Sequence, residues 1–171
     1  MLLVLFALPE PSFSGVVLLY HHVADDTPAL TSITTAQFER HLKTIEENGY
    51  QVVPLESLVQ TSLASFTLNK KVAITFDDGY KNILTNALPL LKKRDWPFTI
   101  FVSTKFVGIS KSYLSWEDLY YLKQNGATIG NHTHSHAHLV RRGENEIEAE
   151  WLARVESEII TAREILNAEG H

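Results

Sequence analysis

The stretch "KKVAITFDDGYKN" (residues 70–82) decides the fold, because a buried strand leads here directly into two adjacent carboxylates. The run 70–76, apolar over most of its length, is typical of a buried β-strand. Asp77 and Asp78 follow at once, and Gly79 allows the backbone to turn sharply. Like charges repel each other, so a shared cation is one explanation for the pair, and a simple Asp-Gly turn is the other.

Strand and helix patterns alternate along the rest of the chain. Strand-like runs cover residues 15–23, 50–55, 97–103 and 127–130, and helical patterns cover residues 34–49, 55–63, 80–95, 115–126 and 144–170. We expect Pro89 to kink the third helix and an apolar stripe to mark the last one, formed by Ile147, Trp151, Val155 and Ile159. The alternation predicts an α/β fold with a parallel sheet or a (β/α) barrel, whose functional residues follow the carboxyl ends of the strands.

The composition limits the classes of function. The chain has 171 residues, which fits one domain, and a net charge of −5 without any basic cluster larger than "LKKR" at 91–94. We therefore expect no nucleic-acid partner. Because cysteine is absent, a metal site here must use histidine, aspartate or glutamate.

The first fourteen residues differ in character from the rest. The apolar run "LLVLFAL" (residues 2–8) is too short to span a bilayer, which takes roughly 20 residues. The run has three possible explanations: the apolar part of an export signal, a buried first strand, or a start codon placed too far downstream. We expect residues 1–14 to be a signal remnant or linker and residues 15–171 to form the domain.

Four histidines stand at every second position in "GNHTHSHAHL" (residues 130–139), directly after a predicted strand. Neutral imidazole is the commonest protein ligand of zinc and related metals. Both His132 with His136 and His134 with His138 have the spacing of a two-histidine site on a helical turn, whereas on a strand all four would share one face. The spacing alone leaves this open, as it leaves open a chance cluster or a surface metal site without catalysis.

Two histidines and one aspartate make three ligands and leave the fourth position of a tetrahedral metal free for water, which is the pattern of a catalytic site. A second carboxylate beside such a site is suited to accept a proton. The two clusters lie 55 positions apart, from Asp77 to His132, and each follows a predicted strand.

"TFDDG" (residues 75–79) and "GNHTHSH" (residues 130–136) together resemble the motifs of the polysaccharide deacetylases of the NodB-homology type. The resemblance extends to "LLYHHV" (18–23), to residues 38–58 and to residues 114–136, and "YHHV" is most similar to the branch that deacetylates exported poly-β-1,6-N-acetylglucosamine. It implies a distorted (β/α) barrel and a metal-dependent hydrolase that removes N-acetyl groups from poly-N-acetylglucosamine, a chitin-like polymer or peptidoglycan. An exported, periplasmic or cell-surface location is implied as well.

The resemblance also assigns roles to individual residues. It implies that Asp77 is the general base and that Asp78, His132 and His136 hold one divalent cation, with zinc favoured over cobalt, nickel or iron. His134 and His138 then become bystanders. Tyr80 is expected to line the substrate groove, and His21 to approach it from the first strand, although a core or rim position is the alternative for His21 and His22.

Two later family motifs, an Arg-Pro-Tyr/Phe segment and a leucine–histidine pair that carries the general acid, have no match in the chain. Barrels of this kind run to about 200 residues or more. We therefore expect a C-terminally incomplete domain that binds metal but deacetylates poorly. The alternatives are a non-catalytic metal- or carbohydrate-binding remnant and another metal-dependent hydrolase, such as a phosphodiesterase.

Overall fold

The structure is a computed structural model that describes residues 15–64 and 70–171, so the predicted signal remnant or linker at 1–14 lies outside the described residues. A parallel sheet forms its centre, with strand β5 (Lys71–Phe76) in the middle. Strand β1 (Gly15–Tyr20) pairs with the whole of one edge of β5. The other edge is shared, because β4 (Gln51–Val52) pairs with the beginning of β5 and β6 (Phe98–Val102) with its end.

Strand β7 (Ala127–Asn131) pairs in parallel with β6 and completes the five strands. The predicted α/β fold with a parallel sheet is therefore confirmed. Within the described residues, β1 and β7 are the outer strands and do not pair with each other, so the sheet is open and does not close into a barrel.

The single strand predicted for residues 15–23 is wrong, because the chain bends at His21. Tyr20 pairs with Phe76, the last residue of β5, so the ladder has no further partner on that strand. The chain continues as β2 (His22–Val23), which forms a separate parallel pair with β3 (Ser32–Ile33).

The described part of the chain has five α-helices: α1 (Thr35–Glu47), α2 (Leu55–Ala64), α3 (Leu88–Lys92), α4 (Trp116–Gln124) and α5 (Glu148–Ala168). The first four lie between strands, and α5 follows β7. Helix α1 begins at a capping box, in which Gln37 N donates to Thr34 Oγ1 at 3.1 Å and Thr34 N donates to Gln37 Oε1 at 2.8 Å. Ser115 and Asp118 start α4 in the same way. These contacts satisfy amide groups that have no partner inside the first turn.

The regular helix predicted for residues 80–95 is interrupted. Residues Ile83–Ala87 form a π-helical segment, and the α-helical part begins only at Leu88. Leu88 N donates to Ile83 O, five residues back, directly before Pro89. Because proline has no amide hydrogen and crowds the preceding turn, the widened turn places Pro89 near the start of a new helix, where its missing donor costs little.

Aromatic side chains form part of the core around Phe76, the last residue of β5. Phe38, Phe76 and Phe98 are essentially buried, and Phe76 meets Phe98 edge-to-face at 6.0 Å between ring centroids. On α5 the buried residues are Ala162 and Leu166. Two members of the predicted stripe, Ile147 and Ile159, are exposed, whereas Trp151 and Val155 are half-buried.

Among the residues that the structure describes, no helix combines the length and the apolar character needed to cross a membrane.

Candidate metal and catalytic site

Both motifs lie at the carboxyl edge of the sheet. Asp77 directly follows β5, and its amide donates to Tyr20 O on β1 at 2.9 Å. His132 directly follows β7, and its amide donates to Val102 O at the end of β6 at 3.0 Å. These two bonds link the ends of four strands, β5 to β1 and β7 to β6. Because β5 also pairs with β6, residues 55 positions apart in sequence become neighbours.

Unusual backbone conformations mark both loops. Asp78 has φ 70°, Thr133 has φ 70° and His136 has φ 59°. Positive φ is uncommon for residues other than glycine and costs energy, so it persists where surrounding contacts impose it, and it is concentrated at functional sites.

Three side chains converge on one point: Asp78, His132 and His136. The Nε2 atoms of His132 and His136 lie 3.3 and 3.1 Å from Asp78 Oδ1, and one ligand atom from each of the three residues lies within 4.8 Å of the others. Asp78 Oδ1 is buried, yet it accepts no well-aligned hydrogen bond from the described residues. A divalent cation between the three would supply the missing partner, and this donor set of two imidazoles and one carboxylate suits zinc. The residues therefore fit the metal that the sequence predicted.

The other two histidines of the run lie apart from this cluster. His134 Nδ1 is hydrogen-bonded to Thr104 Oγ1 at 2.9 Å. His138 lines a cavity of about 610 Å³ beside His132 and His136, together with apolar residues such as Leu139, Val140 and Ile159. The cavity has the volume of a small-molecule site.

The environments of the two aspartates shift their pKa values in opposite directions. Burial raises the pKa of Asp77, and the charges of His132 and His21 offset this only in part. Burial also acts on Asp78, but the adjacent imidazole of His132 and the charges of His136 and His21 outweigh it and lower the pKa of Asp78. Two neighbouring carboxyl groups with diverging pKa values are suited to different chemical roles.

Tyr80 and His21 both lie near the carboxylates. The half-buried Tyr80 stacks on the ring of His22 at 3.6 Å between centroids and packs against Tyr113 at 5.1 Å. Burial and the charge of Asp78 raise the pKa of Tyr80. His21 is half-buried and acts electrostatically on both aspartates, whereas His22 is buried and hydrogen-bonded through Nδ1 to Asn82 Nδ2 at 2.9 Å. His22 is therefore a buried histidine with a hydrogen-bond partner, as in the core position named above as an alternative for His21 and His22.

Several residues that the sequence reasoning missed hold the histidine loop. Thr133 N donates to Asn131 Oδ1 at 2.8 Å, and His136 N donates to Thr133 Oγ1 at 3.0 Å. Ser103 Oγ donates to His132 O at 2.8 Å. Asn131 and Thr133 lie inside the quoted motif, and their residue types indicate such a role, since both favour local side-chain hydrogen bonds to the backbone. Nothing in the sequence indicates a role for Ser103, or for Glu158 on α5.

The fold and the site define an α/β domain with a histidine–aspartate cluster at the carboxyl edge of a parallel sheet. A family model described as polysaccharide deacetylase matches residues 66–165. The chain belongs to the polysaccharide deacetylase family.

Relatives and solved structures agree with this assignment. YxkH of Bacillus subtilis (strain 168), which bears a polysaccharide deacetylase name, is 34% identical over 124 residues, covering 72% of this chain and 43% of that protein. The poly-β-1,6-N-acetyl-D-glucosamine N-deacetylase of Escherichia coli (strain K12) is 30% identical over 92 residues, covering 52% of this chain and 14% of that protein. The chain thus spans less than half the length of these curated relatives.

The structure of IcaB from Ammonifex degensii has the same fold, with a TM-score of 0.78 at 23% identity over 91% of this chain and 69% of that chain. The Streptococcus pyogenes deacetylase PplD, solved in complex with acetate, gives a TM-score of 0.76 at 23% identity over 90% and 67% of the two chains.

Proposed function

We propose that this chain removes N-acetyl groups from an N-acetylglucosamine-containing polysaccharide with the help of one divalent cation held by Asp78, His132 and His136. The observation that carries the proposal is the convergence of ligand atoms from three residues within 4.8 Å of one another, one of them a buried carboxylate oxygen of Asp78 that accepts no well-aligned hydrogen bond from the described residues. A second carboxylate, Asp77, lies directly beside this cluster and is only 9% exposed.

Asp77 and Asp78 have different roles in the proposed reaction. When bound, a divalent cation of the zinc type acidifies water and polarises a carbonyl oxygen. Asp77 accepts the proton of the water that attacks the acetamide carbonyl, and its raised pKa makes it a better proton acceptor than an exposed aspartate. Asp78 remains ionised because its pKa is lowered, so it is available as a ligand. The C–N bond of the acetamide then breaks and its nitrogen takes up a proton, so acetate and a free amine on the sugar are the products.

The substrate class rests on the family and on the site beside the histidines. One relative is a poly-β-1,6-N-acetyl-D-glucosamine N-deacetylase, and the cavity of about 610 Å³ beside His132 and His136 offers room for a sugar unit. In this proposal His21 and Tyr80 contact the substrate, with His21 offering a polar ring beside the carboxylates. Residues 15–171 are the part of the deacetylase domain that holds the cation, and the protein acts at an exported or cell-surface location.

The proposal is tested by measuring acetate release from N-acetylglucosamine oligomers. The protein is first freed of metal with a chelator, and release is measured before and after zinc is added back. Asp77→Asn should abolish release and keep zinc in equilibrium dialysis, whereas Asp78→Asn should lose both. Full zinc binding by Asp78→Asn would contradict the ligand assignment. Zinc binding by the unmodified chain without any acetate release would favour a non-catalytic metal-binding role, and turnover of a phosphodiester instead would favour another hydrolase.

A further inference from the structure

Helix α5 is tied to the loop between the two ligand histidines at one residue, Glu158. Glu158 Oε2 accepts a hydrogen bond from Ser135 N at 2.7 Å, and Glu158 Oε1 accepts one from Ser135 Oγ at 2.7 Å. The backbone carbonyl of Glu158 accepts a third from His134 N at 3.0 Å. One residue of α5 therefore binds two consecutive residues of the loop, directly before His136.

These contacts act on a strained segment. Thr133 and His136 have φ values of 70° and 59°, so the loop adopts a conformation that side chains of this kind rarely take. Strain of this kind persists only when surrounding contacts impose it. A carboxylate that accepts two short hydrogen bonds is a strong restraint, because bonds to an ionised group are stronger than bonds between neutral groups.

We propose that Glu158 is a positioning residue for the cation site: its carboxylate holds Ser135 and thereby fixes His136 beside Asp78. Glu158 does not touch the cluster itself, and it lies 22 positions after His136 in the sequence. The inference rests on the proposed function, since it assumes that Asp78, His132 and His136 bind the cation. Partners of this kind behind a metal ligand change metal affinity by about 10- to 100-fold when they are removed.

Glu158→Ala tests the inference through the zinc dissociation constant, measured by competition with a chromogenic chelator, and through the absorption spectrum of the cobalt-loaded protein. We expect zinc affinity to fall about 10- to 100-fold and the cobalt spectrum to change. Glu158→Gln should restore most of the affinity, because its amide can accept from Ser135 N and donate to Ser135 Oγ. Glu156→Ala, at an exposed glutamate two positions earlier on α5, is the matched control and should bind zinc normally.

The inference would be overturned if Glu158→Ala had the zinc affinity and the cobalt spectrum of the unmodified protein. A lower melting temperature with both of these unchanged would indicate a purely structural role for Glu158. If Glu158→Ala fails to fold, Ser135→Ala decides: it removes only the hydroxyl contact and should weaken zinc binding, and normal binding would again overturn the inference. Asp78→Asn separates the two proposals. Loss of zinc in Asp78→Asn together with normal binding in Glu158→Ala contradicts only the role of Glu158, whereas normal binding in Asp78→Asn contradicts both.

Discussion

Substituting alanine for Gly79 should destabilise the protein by more than the backbone effect alone, because this position requires both a positive φ and the absence of a Cβ. Its φ is +76°, where an alanine costs roughly 1–2 kcal/mol. A Cβ placed there would also lie 3.0 Å from Val102 Cγ1 and 3.5 Å from Val102 Cβ. Val102 is completely buried at the end of β6, so it has little room to give, and overpacking of this kind costs about 1–3 kcal/mol. We expect a total of about 2–5 kcal/mol.

Gly108→Ala is the matched control for this substitution. Gly108 has nearly the same backbone conformation, with φ +72°, but a Cβ there would meet nothing within 4 Å. Gly108→Ala should therefore cost only the backbone part, about 1–2 kcal/mol. The difference between the two variants isolates the contact with Val102.

Urea unfolding followed by circular dichroism gives the two free energies of unfolding, and the melting temperature should fall by about 2–4 °C for each kcal/mol lost. Because Gly79 follows Asp78 directly, Gly79→Ala should also weaken zinc binding, while Gly108→Ala should not. If Gly79→Ala costs no more than Gly108→Ala, the close approach of Val102 does not constrain this turn and the reasoning is refuted.

Two further expectations follow from the same structure. Burial raises the pKa of Tyr20 from 10.0 to about 12, so the unfolded chain loses this proton first and the free energy of unfolding falls as pH rises from about 10 to 12. Urea unfolding over this pH range should show a steeper fall in the free energy of unfolding for the unmodified protein than for Tyr20→Phe, and equal slopes against pH would argue against this burial effect. His138→Gln should leave the zinc dissociation constant unchanged, because the ring lines the cavity and stands outside the three-residue cluster; weaker zinc binding in that variant would make His138 a ligand.

Local patterns in the sequence were enough for the elements that carry the site. The apolar run before Asp77 predicts β5, and the actual strand begins only one residue later, at Lys71. Ser115 and Gly126 bound a helix whose capping box is present, because such caps depend on side chains three residues apart. The break after Tyr20 and the π-helical turn before Pro89 were missed, because both depend on neighbours that sequence periodicity does not report.

The sequence by itself determined that two carboxylates and a run of histidines each follow a strand, and that the parallel sheet would bring those strand ends to one edge. The spacing of the histidines could not decide between His132 with His136 and His134 with His138, because an argument from spacing requires the regular geometry of a helix or a strand. Only the tertiary structure decided the arrangement: positive φ at Thr133 and His136 breaks that regularity and turns His132 and His136 toward Asp78, while His134 bonds to Thr104. The physical reason is that this conformation is unfavourable locally and persists where surrounding contacts impose it, and those contacts include hydrogen bonds that Glu158 on α5 accepts from Ser135.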